Sequence, residues 1–143
     1  MKRYIDETHV EASAERIYAA LRDVARWPDW DDELERVTIA GEAIAGAPFS
    51  LRPKGGPNVR MRIVAAEWPS RFVDLALLPL ARIQTTHELL PQAGSGTLVR
   101  SVIEVTGPLG FLWDRLVARK LAEGAHGQTL RLGAYARRDR PAN

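Results

Sequence analysis

Turn-forming residues cut the middle of this chain into strand-length pieces, and that spacing constrains the fold more than any other feature. Breaks at Gly41, Gly46, Gly55-Gly56-Pro57, Trp68-Pro69-Ser70, Pro79 and Gly94-Ser95-Gly96 delimit segments at about 37–41, 47–53, 58–67, 71–78, 82–90 and 97–106. Val59, Met61, Ile63 and Ala65 alternate with Arg60 and Arg62, and Val99, Ser101, Ile103 and Val105 with Arg100 and Glu104. Each such strand has one dry and one wet face. A further strand is read over residues 3–11, with its buried face undecided between Tyr4, Asp6 and Thr8 on one side and Ile5, Glu7 and His9 on the other. Asp6 is held as an inward or a surface carboxylate, Glu7 as a surface one.

Helices flank this array. Ser13 is an N-cap, Glu15 suits the first turn, and Ile17, Ala20, Leu21 and Val24 recur at helical spacing. Pro28 is expected to stop that helix, and a short second helix is read over Asp32 to Arg36. After Gly107-Pro108 helical composition runs to about Arg138. A helical wheel places Val117, Leu121, Gly124, Gln128, Leu132 and Tyr135 on an inner stripe, with Arg115, Arg119, His126 and Arg137 opposite. Seven antiparallel strands twist and curl rather than lie flat. The expected fold is therefore α+β: a seven-stranded curved antiparallel sheet wrapped around a long C-terminal helix, with one or two short helices after strand 1. Residues 1–138 form one domain and 139–143 a basic tail.

Composition removes several function classes. The 143 residues include no cysteine, which excludes thiol nucleophiles, disulfides and thiolate metal sites. Twenty Lys and Arg oppose 18 Asp and Glu, so no strong electrostatic partner follows. The acids at 29, 31, 32, 33 and 35 read as a solvated loop. Tryptophans 27, 30, 68 and 113 are not interleaved with basic residues as single-strand stacking requires. They read as packing residues, with Trp30 placed to guard a cavity mouth. No run of 18 apolar residues is present. A reducing cytoplasm is the expected compartment, with no nucleic acid and no stable membrane insertion.

Specific short sequences now resemble a known group. Ala12-Ser13-Ala14-Glu15-Arg16-Ile17-Tyr18 follows the first strand, and Asp23 leads into Trp27-Pro28-Asp29-Trp30. Gly41 and Gly46 mark a hairpin, and Trp68-Pro69-Ser70-Arg71-Phe72, His87-Glu88-Leu89, Gly96-Thr97 and Gly107-Pro108-Leu109 punctuate the rest. Together they resemble the START-like (SRPBCC) superfamily of helix-grip proteins, which includes polyketide cyclases and dehydrases and lipid-transport domains. The resemblance implies an apolar cavity between sheet and long helix that binds a small hydrophobic molecule, and in some members ring closure or dehydration of a bound polyketide. It carries over no catalytic residue, because the superfold hosts unrelated activities.

Strand and helix faces then nominate the cavity lining: Met61, Ile63, Thr85, His87, Ser101, Ile103, Leu121, Gly124 and Gln128. His87 is a candidate acid, base or hydrogen-bonding group, its ordinary alternative being a core histidine satisfied by a neighbouring strand. The three histidines lack metal-ligand spacing, so no metal and no cofactor is expected. Ser101 is a hydroxyl on a dry face, and Gln128 a buried amide that needs a partner, whether main chain, water or ligand. Tyr135 either polarises a ketone or fills the cavity end. Three readings follow: a binder of a lipid, quinone or polyketide-like molecule, which leads; a cofactor-independent cyclase or dehydratase using His87 with Gln128 or Tyr135; and an interaction module with a collapsed interior. A homodimer is left open.

Overall fold

The computed structural model describes residues 1–138; the basic tail expected at 139–143 lies outside them. Strand β1 (Lys2–Val10) leads into helix α1 (Ala14–Arg22), a 3-10 turn (Val24–Asp29), and strands β2 (Leu34–Ile39), β3 (Pro48–Pro53), β4 (Val59–Glu67), β5 (Arg71–Leu78), β6 (Ala81–Pro91) and β7 (Thr97–Thr106). All pairings are antiparallel, in the order β1-β7-β6-β5-β4-β3-β2. The C-terminal helix runs through α2 (Gly110–Trp113), a π-helical turn (Asp114–Ala118) and α3 (Arg119–Arg138). This is the curved seven-stranded sheet with a long final helix that the turn spacing implied.

Ser13 caps α1 as expected, its hydroxyl accepting from the Arg16 N–H at 3.2 Å. Three boundaries differ from the sequence reading, among them the strand expected at about 37–41, which is Leu34–Ile39. Helix α1 ends at Arg22, and Pro28 sits inside the following 3-10 turn. No helix forms over 32–36: Leu34 already pairs with Pro53. Leu34 and Val37 are buried and pull the segment onto the sheet edge. Asp31 supplies the turn before it, accepting from the Glu33 N–H at 3.0 Å.

The final helix is rotated relative to the wheel. Its buried residues are Asp114, Ala118, Ala125, Thr129, Leu132, Gly133 and Ala136, while Leu121 is 42% exposed and Gly124 is exposed. Leu121, Gly124, Gln128 and Tyr135 all follow the π turn within regular helix, and the buried stripe runs about one residue later, through Ala125, Thr129 and Ala136. Small side chains then mark the buried stripe because the helix comes close to β1: a Cβ at Gly133 would lie 2.7 Å from the Val10 side chain. Arg115, Arg119, His126 and Arg137 are exposed, as the wheel placed them.

Two apolar clusters result. The larger joins α1 and the 3-10 turn to β3–β5 through Tyr18, Leu21, Trp27, Phe49, Phe72 and Leu132. Trp27 anchors it, with ring centroids 5.6 Å from Phe49 and 6.4 Å from Phe72 and its indole N–H donating to Leu21 O at 2.9 Å. The smaller joins Ile83, Ile103, Val105 and Ala118 near the start of the helix.

Candidate functional site: a polar belt on the concave face

Strand register decides which side chains share the concave face. Ile63 pairs with Asp74, Asp74 with Thr85, Thr85 with Ile103, and Ile103 with Tyr4. The next row runs Phe72, His87, Ser101, Asp6. A diagonal of polar groups thus crosses the inner wall from Asp74 on β5, through Thr85 and His87 on β6 and Ser101 on β7, to Asp6 on β1. It passes between the two apolar clusters.

Two members of this belt are buried without compensation. Asp74 is 6% exposed and makes no hydrogen bond or ion pair with any described residue; burial alone pushes its carboxyl up to about 7. His87 is 7% exposed and its Nδ1 makes no hydrogen bond. Burial holds its imidazole down at about 4, against a weaker opposing pull from the Phe72 backbone. Burial thus favours the neutral form of both groups, a carboxyl that keeps its proton well above the usual carboxylate range and an uncharged imidazole. Asp74 and His87 are diagonal neighbours across the β5–β6 ladder, about 7–8 Å apart, close enough for one small molecule to touch both. Burying a polar group without a partner costs about 1–3 kcal/mol, and the wall carries two.

At the β1 end the belt opens into a recess of about 150 Å³ lined by Tyr4, Ile5, Asp6, Ser101, Ile103, Ala122 and Ala125. That volume matches the roughly 150 Å³ of a dry engineered cavity that holds one benzene ring. Asp6 faces it and Glu7 is exposed, which settles the face of β1. Thr8 gives its hydroxyl proton to Asp6 Oδ2 at 2.7 Å, so His126 Nδ1, 2.8 Å from Thr8 Oγ1, is the donor in that contact. A hydroxyl already donating to a carboxylate and accepting from an imidazole is a positioned structural group, not an activated nucleophile.

The nominated residues divide accordingly. Met61 and Ile63 are buried in the larger cluster, and Thr85, His87, Ser101 and Ile103 share the concave wall. Leu121 and Gly124 are exposed, and a Cβ at Gly124 would meet nothing within 4 Å. Gln128 is half-buried and donates to Asp31 Oδ2 at 2.8 Å. Burial raises the Asp31 carboxyl against the lowering effects of the Glu33 N–H, Gln128 and Arg131. Tyr135 is half-buried against the larger cluster. Trp30 is buried and its indole N–H makes no hydrogen bond.

The sequence reading missed Asp74, which stands in the run Phe72-Val73-Asp74-Leu75-Ala76. The signal was there: a period of two puts Asp74 on the same face as Phe72 and Ala76, a lone carboxyl among apolar neighbours. Among the described residues, no group of three or more His, Asp or Glu side chains is placed to hold a metal ion.

Comparison with known proteins agrees with this architecture. No curated protein matches the sequence. The fold is similar to that of protein MLL2253 from Mesorhizobium loti, with a TM-score of 0.75, 17% identity, 97% of this chain and 100% of that chain covered. It is similar to norcoclaurine synthase from Thalictrum flavum in complex with dopamine and hydroxybenzaldehyde, with a TM-score of 0.74, 14% identity, and 98% and 88% covered. The di-domain ARO/CYC StfQ from the steffimycin biosynthetic pathway gives a TM-score of 0.74 at 16% identity, with 94% of this chain and 50% of that chain covered. The sequence itself matches the profile of one family over residues 2–136. With that match over nearly its whole length and the helix-grip fold around it, the chain belongs to the polyketide cyclase/dehydrase and lipid transport family of the START-like (SRPBCC) superfamily.

Proposed function

We propose that the chain binds a small, mainly apolar, uncharged molecule between the concave face of the sheet and the C-terminal helix, with Asp74, Thr85, His87 and Ser101 as its polar anchors. The observation that carries this reading is the buried pair on the concave wall: the Asp74 carboxyl, which has no partner among the described residues, and His87, whose Nδ1 makes no hydrogen bond. A protonated carboxyl donates to a ligand carbonyl, and a neutral imidazole accepts from a ligand hydroxyl. An anionic ligand end would stand unbalanced there. The chemistry fits a quinone, a polyketide-like phenol or ketone, or a lipid with a hydroxyl or carbonyl head. The recess beside Ser101 and Ile103, closed on the helix side by Ala122 and Ala125, takes one ring. The dopamine and hydroxybenzaldehyde carried by the similar norcoclaurine synthase structure support a molecule of this size.

A second reading, cofactor-independent cyclisation or dehydration, has one observation in its favour. Asp74 near 7 is a well-matched general acid. In a dehydration, His87 would take a proton from carbon next to a ligand carbonyl while Asp74 protonates the departing hydroxyl, releasing water and leaving a double bond. Burial holds His87 down at about 4, however, which weakens it as a base near neutral pH. That mismatch places binding ahead of turnover.

The test is titration with the neutral fluorescent probe N-phenylnaphthylamine. Thr85→Trp fills the middle of the belt and is expected to weaken binding at least about tenfold with an unchanged melting temperature. A wild-type chain that ignores the probe, or a Thr85→Trp chain that binds it equally well, overturns the reading.

A further inference from the structure

The end of the molecule where β5 turns into β6 and β7 passes into the final helix carries the opposite pattern to the concave wall. Leu80, at the turn with φ 56°, is 65% exposed, and Phe111 and Leu116 at the start of the helix are 71% and 52% exposed. These groups belong to one stiff unit. The Leu109 N–H donates to Leu80 O at 3.0 Å, the Trp113 indole N–H donates to Pro79 O at 2.9 Å, and a Cβ at Gly107 would lie 2.6 Å from Leu80 O. Behind the turn, on the convex face, an open groove of about 940 Å³ connects Leu80 and Pro108 with Leu75, Leu77 and three arginines, Arg60, Arg62 and Arg82.

None of these three arginines pairs with an acid, whereas the acidic loop is neutralised locally, Asp29 by Arg26, Asp32 by Arg131 and Glu35 by Arg52. Residues 75–82 and 106–122 contain one acid, Asp114. It is buried, accepts from the Tyr4 hydroxyl at 2.6 Å and lies 3.8 Å from Arg119. The end is thus both apolar at its tip and cationic behind it, with nothing inside the described chain to balance either property.

We propose that this end is a peripheral docking surface for the anionic face of a lipid bilayer. Leu80, Phe111 and Leu116 enter the boundary between headgroups and acyl chains, and Arg60, Arg62 and Arg82, set back from the tip, take lipid phosphates through their planar guanidinium groups. A bilayer fits better than a protein partner because the apolar groups project from a turn and a helix start on separate elements. Protein interfaces of useful affinity present a continuous buried core instead. No described helix is long and apolar enough to cross a membrane, so the contact is docking at the surface. This inference does not depend on what the concave face binds.

The test is co-sedimentation of the full chain with vesicles of phosphatidylcholine alone or with about 30% phosphatidylglycerol. Binding is expected only to the anionic vesicles, and raising salt from about 0.1 M to about 1 M should weaken it. Arg60→Gln with Arg62→Gln should weaken it at least about tenfold. Leu80→Gly with Phe111→Ser should weaken it by about as much, with the melting temperature held. Absence of wild-type binding overturns the proposal. So does binding that survives either double substitution, or a chain that ignores vesicles and instead binds poly-glutamate or its own second copy through this end.

Discussion

The concave wall and the β5–β6 end invert the ordinary rule in opposite directions. Inside, Asp74 and His87 are polar, buried and unpartnered; outside, Leu80 and Phe111 are apolar and exposed, beside arginines without acids. Elsewhere the chain pairs difficult groups within itself, as with Gln128 on Asp31 and Thr97 Oγ1 donating to Ala12 O at 2.7 Å, although the Trp30 indole N–H and the Nε atoms of Arg52 and Arg100 are also buried without a hydrogen-bond partner. Buried polar groups on one wall and exposed apolar groups gathered at one end mark surfaces suited to molecules other than the chain itself.

The largest effect that sharpens this contrast is the pH dependence of stability. Below about pH 4 the Asp74 carboxyl is protonated folded and unfolded alike; above it the unfolded chain releases the proton that the fold keeps up to about 7, so rising pH favours unfolding. His87 acts oppositely: the unfolded imidazole takes a proton below 6.5, which the fold refuses until about 4, so falling pH favours unfolding. Each is worth about 1.4 kcal/mol per pH unit, and across pH 4–6.5 they cancel. Chemical denaturation of Asp74→Leu is expected to show stability about 3–4 kcal/mol above the parent at pH 8. It should also expose a rise from pH 4 to 6.5, which His87→Gln replaces with a fall. Parallel profiles for the two variants would mean that the belt is paired after all.

A smaller effect concerns what holds the wall in place. Gly133→Ala forces a Cβ into Val10 and should cost about 1–3 kcal/mol in thermal melting, the helix being displaced from β1 where the recess lies. The smallest is at the other region. Phe111→Ser removes an exposed ring and should change stability by no more than about 0.5 kcal/mol, whereas a large loss would show that Phe111 is part of the core.

Legibility in the sequence followed the strength of the local signal. Turn residues have few substitutes, so Gly96 at φ 81° and Gly107 at φ 108° marked strand ends that the structure keeps, and the strands from 47 to 106 emerge within a residue or two. The phase of the final helix did not, because the buried stripe is written in alanines and glycine instead of leucines. The site was half legible. His87 and Ser101 stood out as polar residues on alternating strands, but Asp74 hid in a strand with apolar residues on both faces, where its meaning depends on which neighbours reach it.

Native mass spectrometry of freshly purified protein beside its Thr85→Trp variant addresses the ligand most directly. The account predicts a small organic molecule carried by the wild-type chain and missing from the variant. The same adduct on both proteins, or a bare chain in both cases, would contradict it.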